Sequence, residues 1–180
     1  LHNLHGYYLN VKILFDYLKK ADKKVVWTLH DCWAFTGHCA NFQYPVCDKW
    51  KTGCFDCERK TKYPKSFVDN SQKNYLEKER VFCGVKNLTV VTPSEWLARL
   101  VKESFLGRYP TKVINNGIDT SVFCPTESDF KERNGLKDKK MILGVANVWD
   151  EFKGINDFIG LSKKISDDYR IVLVGLDEKQ

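Results

Sequence analysis

The residues of this sequence best suited to chemistry begin with two histidine-containing segments near its start. His30-Asp31 follows directly after residues 25–29, a short apolar run of the kind that forms a buried parallel strand. Because open α/β sheets bind ligands beyond the carboxyl ends of their strands, we expect His30 to donate a hydrogen bond to a ligand, with Asp31 orienting it. The competing interpretation is a histidine that only satisfies a loop backbone. Four earlier residues are candidates for the same rim, or for a loop that closes onto a helix: His2, Asn3, His5 and Gly6.

A cluster of cysteines is the second candidate site. Four of the seven cysteines form the pattern C-x7-C-x6-C-x2-C, and they are Cys39, Cys47, Cys54 and Cys57. The C-x2-C pair suits tetrahedral zinc, and four thiolates would close a structural site that orders a long loop. Reduced buried thiols, disulfides and an iron–sulfur cluster are the alternatives; we favour zinc, in a reducing compartment. We interpret the remaining cysteines as small apolar residues: Cys32, Cys83 and Cys124.

The elements that would position these residues alternate between helix and strand. Apolar periodicity predicts helices near 7–18, 70–82 and 154–166, and strands at 25–29, 88–91, 112–114, 141–146 and 171–174. The run Thr92-Pro93-Ser94-Glu95 predicts a helix that is capped by Thr92 and stopped by Gly107. Residues 32–66 show neither period, and we interpret them as a Cys-rich insertion loop that is functional or held by a bound group.

Strands and helices alternate on both sides of a polar stretch, which predicts an α/β protein with two doubly wound units. We expect residues 1–120 to be the later part of one domain, residues 121–139 a linker with a short helix near 127–134, and residues 140–180 the start of a second domain. Such domains have five or six strands, so both are expected to be incomplete. The chain starts at Leu1 without a Met or a signal pattern, so we expect an internal fragment.

The composition and charge of the chain disfavour several classes of function. The chain is 43% hydrophobic and 29% charged, with a formal charge of +6, and no apolar run approaches the roughly 20 residues that span a bilayer. Lysines and arginines are dense between residues 49 and 80, but five acidic residues are mixed among them and Asp48 directly precedes them. This pattern indicates a solvated surface, with attraction to anionic lipid headgroups or to a phosphate-bearing substrate as alternatives. Nucleic-acid binding is disfavoured because no basic helix or recognition motif accompanies the charge.

Five blocks of the sequence resemble, in order, one branch of glycosyltransferase family four, which works on bacterial exopolysaccharide, capsule and O-antigen (lipopolysaccharide). Residues 28–37 match the segment T-x-H-D-x-W-x-F-T-G, and residues 114–123 match I-P-N-G-I-D-x-x-x-F, with Asn115 where proline is usual. The other blocks are residues 2–8, 92–97 and 153–154. Together the blocks cover nearly the whole chain.

This resemblance implies a GT-B architecture: two Rossmann-like domains facing a cleft, with retaining transfer and no required catalytic metal. It implies that His30, with Asp31, contacts the sugar undergoing transfer. It places His2, Asn3, His5 and Gly6 on the acceptor side, and four residues on the donor side: Asn116, Gly117, Lys153 and Gly154. Lys153 would stabilise the leaving diphosphate together with the dipole of the helix that starts there; the competing interpretation is an exposed lysine.

One departure weakens the donor-side match. The family's usual block is G-R-x-x-x-x-K-G, but residues 145–153 contain no arginine, and Asn147, which stands near that place, cannot supply its charge. The family's later E-x7-E motif, which grips the donor, would lie beyond Gln180.

The expected function is therefore a nucleotide-sugar-dependent, hexosyltransferase-type enzyme of cell-surface glycan biosynthesis. We expect a UDP- or GDP-sugar donor, a polysaccharide or lipid-linked saccharide acceptor, and no nucleic-acid partner. The expected location is cytoplasmic, with peripheral contact at the inner face of the membrane, and we expect the fragment alone to be inactive. The alternatives are a zinc-stapled binding module and a catalytically silent sugar-binding relative.

Overall fold

The computed structural model describes residues 1–6, 8–43 and 46–176. It divides into two compact units, Leu1–Gly117 and Ile118–Gln180. In the first unit the elements are α1 (Val11–Ala21), β1 (Val25–Thr28), α2 (Ser71–Phe82), β2 (Leu88–Thr92), α3 (Glu95–Glu103) and β3 (Thr111–Val113). In the second they are α4 (Phe130–Arg133), β4 (Lys140–Val145), α5 (Ile155–Ser162) and β5 (Tyr169–Val174).

Each unit contains a parallel sheet. In the first, β1 pairs with β2 and β2 with β3, so the strand order follows the chain, and helices form the connections. In the second, β4 pairs with β5 through the crossover that carries α5. This is an α/β fold, as predicted, and all five predicted strands are found within two residues of their expected bounds.

The core of the first unit is centred on three aromatic side chains. Phe15 of α1, Trp27 of β1 and Phe82 of α2 are almost fully buried, and their ring centroids lie 4.7–5.3 Å apart. Aromatic pairs at such distances contribute about 0.5–1.5 kcal/mol beyond the area they bury. The cluster therefore fixes α1 and α2 on the sheet and sets the position of every side chain that α2 directs towards the insertion loop.

The start of the first helix differs from the prediction. The helix begins at Val11 rather than at residue 7, because the Asn10 side chain accepts hydrogen bonds from Lys12 N at 3.0 Å and Ile13 N at 3.2 Å. A side-chain acceptor at this position satisfies backbone donors that the first turn leaves open. The predicted stripe also included Tyr7, which lies outside the described residues.

The predicted cap of the third helix is wrong. Thr92 is the last residue of β2 and is fully buried, and its carbonyl accepts a hydrogen bond from Ile114 N. Ser94 is the N-cap instead, and its hydroxyl accepts from Leu97 N at 3.3 Å. Gly107 does not stop the helix, because α3 ends at Glu103 and a separate 3-10 turn follows.

The core of the second unit is built on Trp149, which is 3% exposed. Its Nε1 donates to Val174 O at 3.0 Å, and its ring packs edge-on against Phe158 with centroids 5.4 Å apart. A Cβ at Gly144 would lie 2.7 Å from the Trp149 ring, so the glycine admits the indole to the face of β4. The second helix of this unit is shorter than predicted and ends at Ser162 rather than near residue 166.

In residues 1–6, 8–43 and 46–176, no helix combines the length and the apolar character that a membrane crossing needs.

Candidate functional site

The candidate acceptor-side residues lie at the carboxyl edge of the first sheet. Leu1 and His2 run alongside β1, because Thr28 N donates to Leu1 O at 2.9 Å and His2 forms a parallel bridge with Thr28. His30 follows the end of β1. Parallel strands bring their carboxyl ends to one edge, so His2 and His30 meet there although they are 28 residues apart in sequence.

His2 and His30 form a direct pair. His2 Nδ1 lies 3.1 Å from His30 Nε2, and the rings stack with centroids 5.3 Å apart. One ring must donate and the other accept, so the contact requires at least one neutral imidazole. Both side chains are exposed, which leaves the pair accessible to a ligand.

Asp31 contacts Trp33 and His5, whereas the sequence analysis expected it to orient His30. Its Oδ1 accepts a hydrogen bond from Trp33 N at 2.9 Å, and its Oδ2 lies 3.3 Å from His5 Nε2. The His5 ring also packs against Trp33, with centroids 5.2 Å apart. Asp31 therefore fixes the turn into Trp33 and orients His5, while His2 contacts His30.

The remaining acceptor-side candidates shape the loop between His2 and α1. Asn3 has a positive φ of 40°, and its carbonyl, like that of His2, accepts from the Tyr8 hydroxyl at 3.2 Å. A Cβ at Gly6 would lie 2.7 Å from the Tyr8 ring, so a larger residue there would displace that ring. Asn3 and Gly6 are both exposed, and Asn3 also lines a small cavity together with His5 and His30.

Lys78 anchors the turn behind this site. Its Nζ donates to Trp33 O at 2.7 Å and to Thr36 O at 2.9 Å, and it lies 3.8 Å from the centroid of the Trp33 ring. Lys78 as a whole is only 9% exposed. Burial lowers the Lys78 pKa to about 7, against the opposing attraction of Cys54, Cys39 and Asp31.

Lys78 is a residue that reading the sequence missed. The signal was its spacing in α2, where it shares a face with Tyr75 and Phe82, both buried. A lysine on the apolar face of a helix needs buried acceptors. Here the carbonyls of an irregular turn provide them, and the sequence did not reveal that turn.

The four clustered cysteines line one cavity of about 200 Å³, together with His38 and the buried Trp50. All four are free thiols. Burial raises the pKa of Cys39 to about 11 and also raises the pKa values of Cys54 and Cys57, so these thiols are protonated at neutral pH in the metal-free chain. The Gly37 amide donates to Cys54 Sγ at 3.1 Å.

His38 is a second residue that the sequence did not single out. Its Nε2 is buried without a hydrogen-bond partner, and its ring faces the backbone carbonyls of Lys60 and Arg59. Burial lowers the His38 pKa, which favours the neutral ring. A neutral imidazole that is held through one nitrogen and open at the other has the character of a metal ligand.

The cavity fits a thiophilic metal in its donor chemistry: four thiols and one imidazole nitrogen without a partner surround it. In the parts of the chain that the structure describes, no three His, Cys, Asp or Glu side chains are already arranged to chelate an ion. Of the cysteines outside the cluster, Cys32 is buried, and burial and Asp31 raise its pKa to about 12. Cys124 is exposed, so its interpretation as a packed apolar residue was wrong.

The donor-side candidates are divided between the two units. Asn116 and Gly117 follow β3 and are exposed, and the neighbouring Asn115 side chain donates to Pro93 O at 2.9 Å. In the second unit, Lys153 ends a 3-10 turn that Asp150 caps, accepting from Lys153 N at 2.9 Å. Gly154 has a φ of 75° and precedes α5, so Lys153 is exposed just before that helix rather than in its first turn.

Comparison with known proteins gives one direct similarity. The chain is 35% identical over 125 residues to "Putative colanic acid biosynthesis glycosyl transferase WcaC" of Escherichia coli (strain K12), a match that covers 66% of this chain and 30% of that protein's length. No family model matches the sequence. No solved structure matches it.

Proposed function

We propose that this chain is part of a retaining, nucleotide-sugar-dependent glycosyltransferase of GT-B architecture that acts in bacterial cell-surface glycan synthesis. The observation that carries the proposal is the 35% identity, over 66% of the chain, to a protein named as a colanic acid biosynthesis glycosyl transferase. The two parallel α/β units are compatible with it. The donor is a UDP- or GDP-sugar, and the acceptor is a saccharide, lipid-linked or part of a growing polysaccharide.

In the first unit, we assign the contact with the transferred sugar to His30. Its Nε2 faces His2, so its Nδ1 is the atom available to hydrogen-bond a sugar hydroxyl. Asp31 stabilises the site indirectly, because it fixes the turn at Trp33 and orients His5. His2, Asn3, His5 and Gly6 form the acceptor-side rim. Holding the reacting groups in one orientation is a large share of the catalysis that such a site supplies.

In the second unit, we assign the leaving diphosphate to Lys153 and Gly154, with Asn116 and Gly117 of the first unit also on the donor side. The exposed Lys153 ammonium precedes the N-terminus of α5, and both favour negative charge. No arginine is present in residues 145–153, so Lys153 carries a larger share of this task than in the resembled family. The mechanism requires no catalytic metal.

Isothermal titration calorimetry of the full-length protein with UDP- and GDP-sugars tests the proposal, followed by a radiolabelled transfer assay. We expect micromolar binding of one nucleotide class. Lys153→Ala should weaken binding of the nucleotide diphosphate itself, whereas the exposed Lys164→Ala should not. His30→Ala should reduce transfer much more than nucleotide binding. If neither nucleotide class binds, the proposal fails; if binding occurs without turnover, the chain is a catalytically silent sugar-binding relative.

We also propose that Cys39, Cys47, Cys54 and Cys57 hold a structural Zn²⁺ as its four thiolate ligands, with His38 lining the same cavity beside them. The ion would order the long insertion loop and take no part in transfer. Because the buried thiols are protonated without metal, zinc uptake should release protons and weaken as the pH falls.

Elemental analysis of the purified protein, with release monitored by a chromogenic chelator, tests the zinc proposal. We expect about one zinc per chain, little in Cys54→Ser and Cys57→Ser, and native content in Cys124→Ser, whose thiol is exposed and outside the cluster. A native protein free of zinc after purification without chelators would leave the reduced-thiol interpretation. Nucleic-acid binding by the zinc-loaded loop would instead support the binding-module alternative.

A further inference from the structure

Residues 60–68, which we call the basic-aromatic loop, expose an unusual amount of apolar surface. Phe67 is 94% exposed, Tyr63 69% and Val68 63%. Single exposed apolar residues are common on protein surfaces, but three in one short loop indicate an interaction site. The loop belongs to the insertion that follows the His30 turn, and the proposed function gives it no role.

The exposure of Phe67 comes from a hydrogen-bonded turn. Ser66 N donates to Lys60 O at 2.7 Å and closes the loop. The Ser66 hydroxyl then donates to Val68 O at 2.7 Å, and Val68 N lies 3.3 Å from the same hydroxyl. These bonds bracket Phe67 and keep its ring on the outside of a defined structure, so little ordering is needed before it contacts a partner.

The charges within the loop itself have one sign. The loop contains Lys60, Lys62 and Lys65 and no acidic residue. The carboxylate that follows it is turned inward, since Asp69 accepts from Cys57 N at 2.7 Å and from Ser71 N at 2.9 Å. Lysines interleaved with exposed aromatic and aliphatic side chains complement an anionic bilayer, in which the cations meet phosphate and the rings enter the interface.

The inner side of the loop reaches the candidate site. Tyr63 and Pro64 line a cavity of about 160 Å³ together with His5 and Trp33, and the rest of its lining is apolar. His5 is the histidine paired with Asp31. A surface that held the outer side of the loop would therefore lie beside the acceptor rim.

We propose that the basic-aromatic loop docks this unit on an anionic lipid surface, with Phe67 and Val68 in the interfacial region and Lys62 and Lys65 at the lipid phosphates. The docking follows from the loop itself. Its consequence, that a lipid-linked acceptor meets the His5 side of the rim at the membrane, rests on the proposed function. Bases could stack on the exposed rings of Phe67 and Tyr63, but a nucleic-acid partner would leave the exposed Val68 without a role, because a valine offers no stacking surface.

Sedimentation of the full-length protein with vesicles tests the proposal, using phosphatidylcholine alone and phosphatidylcholine mixed with phosphatidylglycerol in about equal amounts. We expect partitioning onto the mixed vesicles that weakens with added salt, and little onto the neutral ones. Phe67→Ala should lower the partition coefficient about tenfold or more, and the double variant Lys62→Gln/Lys65→Gln about twentyfold. The matched controls Phe123→Ala and Lys163→Gln/Lys164→Gln change exposed residues outside the loop and should partition like the native protein.

The substitution Phe67→Trp provides a direct reporter. The emission that it adds to that of the native tryptophans should shift to shorter wavelength on the anionic vesicles and stay unchanged on the neutral ones. Loop variants that partition like the native protein, or an added emission that does not move while the Phe67→Trp variant sediments, would overturn the proposal.

Calorimetry with the nucleotide sugar separates the docking hypothesis from the proposed function. Phe67→Ala should bind the nucleotide sugar normally, so a loss of vesicle binding alone leaves the proposed transferase intact. Native docking without any nucleotide binding leaves the loop's role intact and removes the transferase.

Discussion

Replacing Lys78 with methionine tests how the turn behind His30 is held. In the protein treated with a chelator, folded Lys78 releases its proton near pH 7, whereas in the unfolded chain it keeps that proton up to the ordinary value of 10.5. Between these values the unfolded state binds more protons, so the free energy of unfolding rises with pH. Between pH 7 and pH 9 the contribution of Lys78 to the free energy of unfolding should rise by about 2 kcal/mol.

The window ends at pH 9 because the cysteines then act in the opposite direction. The folded pKa of Cys32 is raised to about 12 and that of Cys39 to about 11, from an ordinary value of 9.0. From about pH 8 the unfolded chain loses these protons first, as it does those of Cys54, Cys57 and Cys83, and above pH 9 this effect outweighs the contribution of Lys78. His38, whose pKa is lowered, affects stability only as the pH drops below about 6.5.

Lys78→Met keeps the length and the apolar stem of the side chain but leaves Trp33 O and Thr36 O without their donor. At pH 9 it should lower the free energy of unfolding by about 2–4 kcal/mol, the cost of two buried carbonyls left unpaired. The cysteines act alike in both proteins, so the stability difference between the native protein and the variant should grow by about 2 kcal/mol between pH 7 and pH 9. Urea unfolding followed by tryptophan fluorescence at pH 7, 8 and 9 measures both effects. A stability difference between the native protein and Lys78→Met that stays constant from pH 7 to pH 9 would refute the assignment to this lysine.

Four further substitutions, one of them a control, check local features. Gly37→Ala should destabilise the first unit by several kcal/mol, because the added Cβ would collide with Ser71 O. Its control is Gly160→Ala in α5, where nothing lies within 4 Å of the new atom, so that variant should be neutral or more stable by about 0.5–1 kcal/mol. Thermal melts of the two variants measure the difference. Ser94→Ala should cost about 1 kcal/mol in urea unfolding through the lost cap of α3. Asp31→Asn keeps the acceptor for Trp33 N but removes the charge opposite His5; it should lower stability by less than about 1 kcal/mol, because the pair is partly exposed, and should lower transfer more clearly. If Asp31→Asn lowered the melting temperature as much as Gly37→Ala does, its loss of transfer would follow from unfolding, and the expected separation of the two effects would be contradicted.

The parts of this fold that sequence reasoning predicted best are those in which one strong local signal acts. The apolar runs of β1 and β2 predicted both strands, although β1 is not buried throughout and leaves Val26 exposed. The predicted cap of α3 is wrong because two hydroxyl residues, Thr92 and Ser94, were candidates for it. Thr92 belongs to β2, where it pairs with Val113, and Ser94 is the cap. The pairing between β2 and β3 determines which of the two residues is the cap, and a local sequence pattern does not show that pairing.

The candidate site shows the same limit. The position of His30 after β1 was predictable, but its contact with His2 depends on parallel pairing between residues far apart in the chain. Lys78 was missed because a charged residue is normally exposed, and only its acceptors in the irregular turn make the buried position tolerable. The roles of Lys153, Gly154, Asn116 and Gly117 stay predictions, as does zinc at the cysteines.

The pairing of His2 with β1 has a consequence for how this chain can change length. Since the two rings are brought together by neighbouring strands, the loop between them does not set their separation. Residues added or removed at Asp22–Lys24, between α1 and β1, would leave the pair as it is. A single residue inserted into Val25–Thr28 would turn the following side chains to the opposite face of the sheet and separate the rings. Variation in length should therefore be tolerated around the candidate site in the connecting loops and excluded from four consecutive residues of one strand.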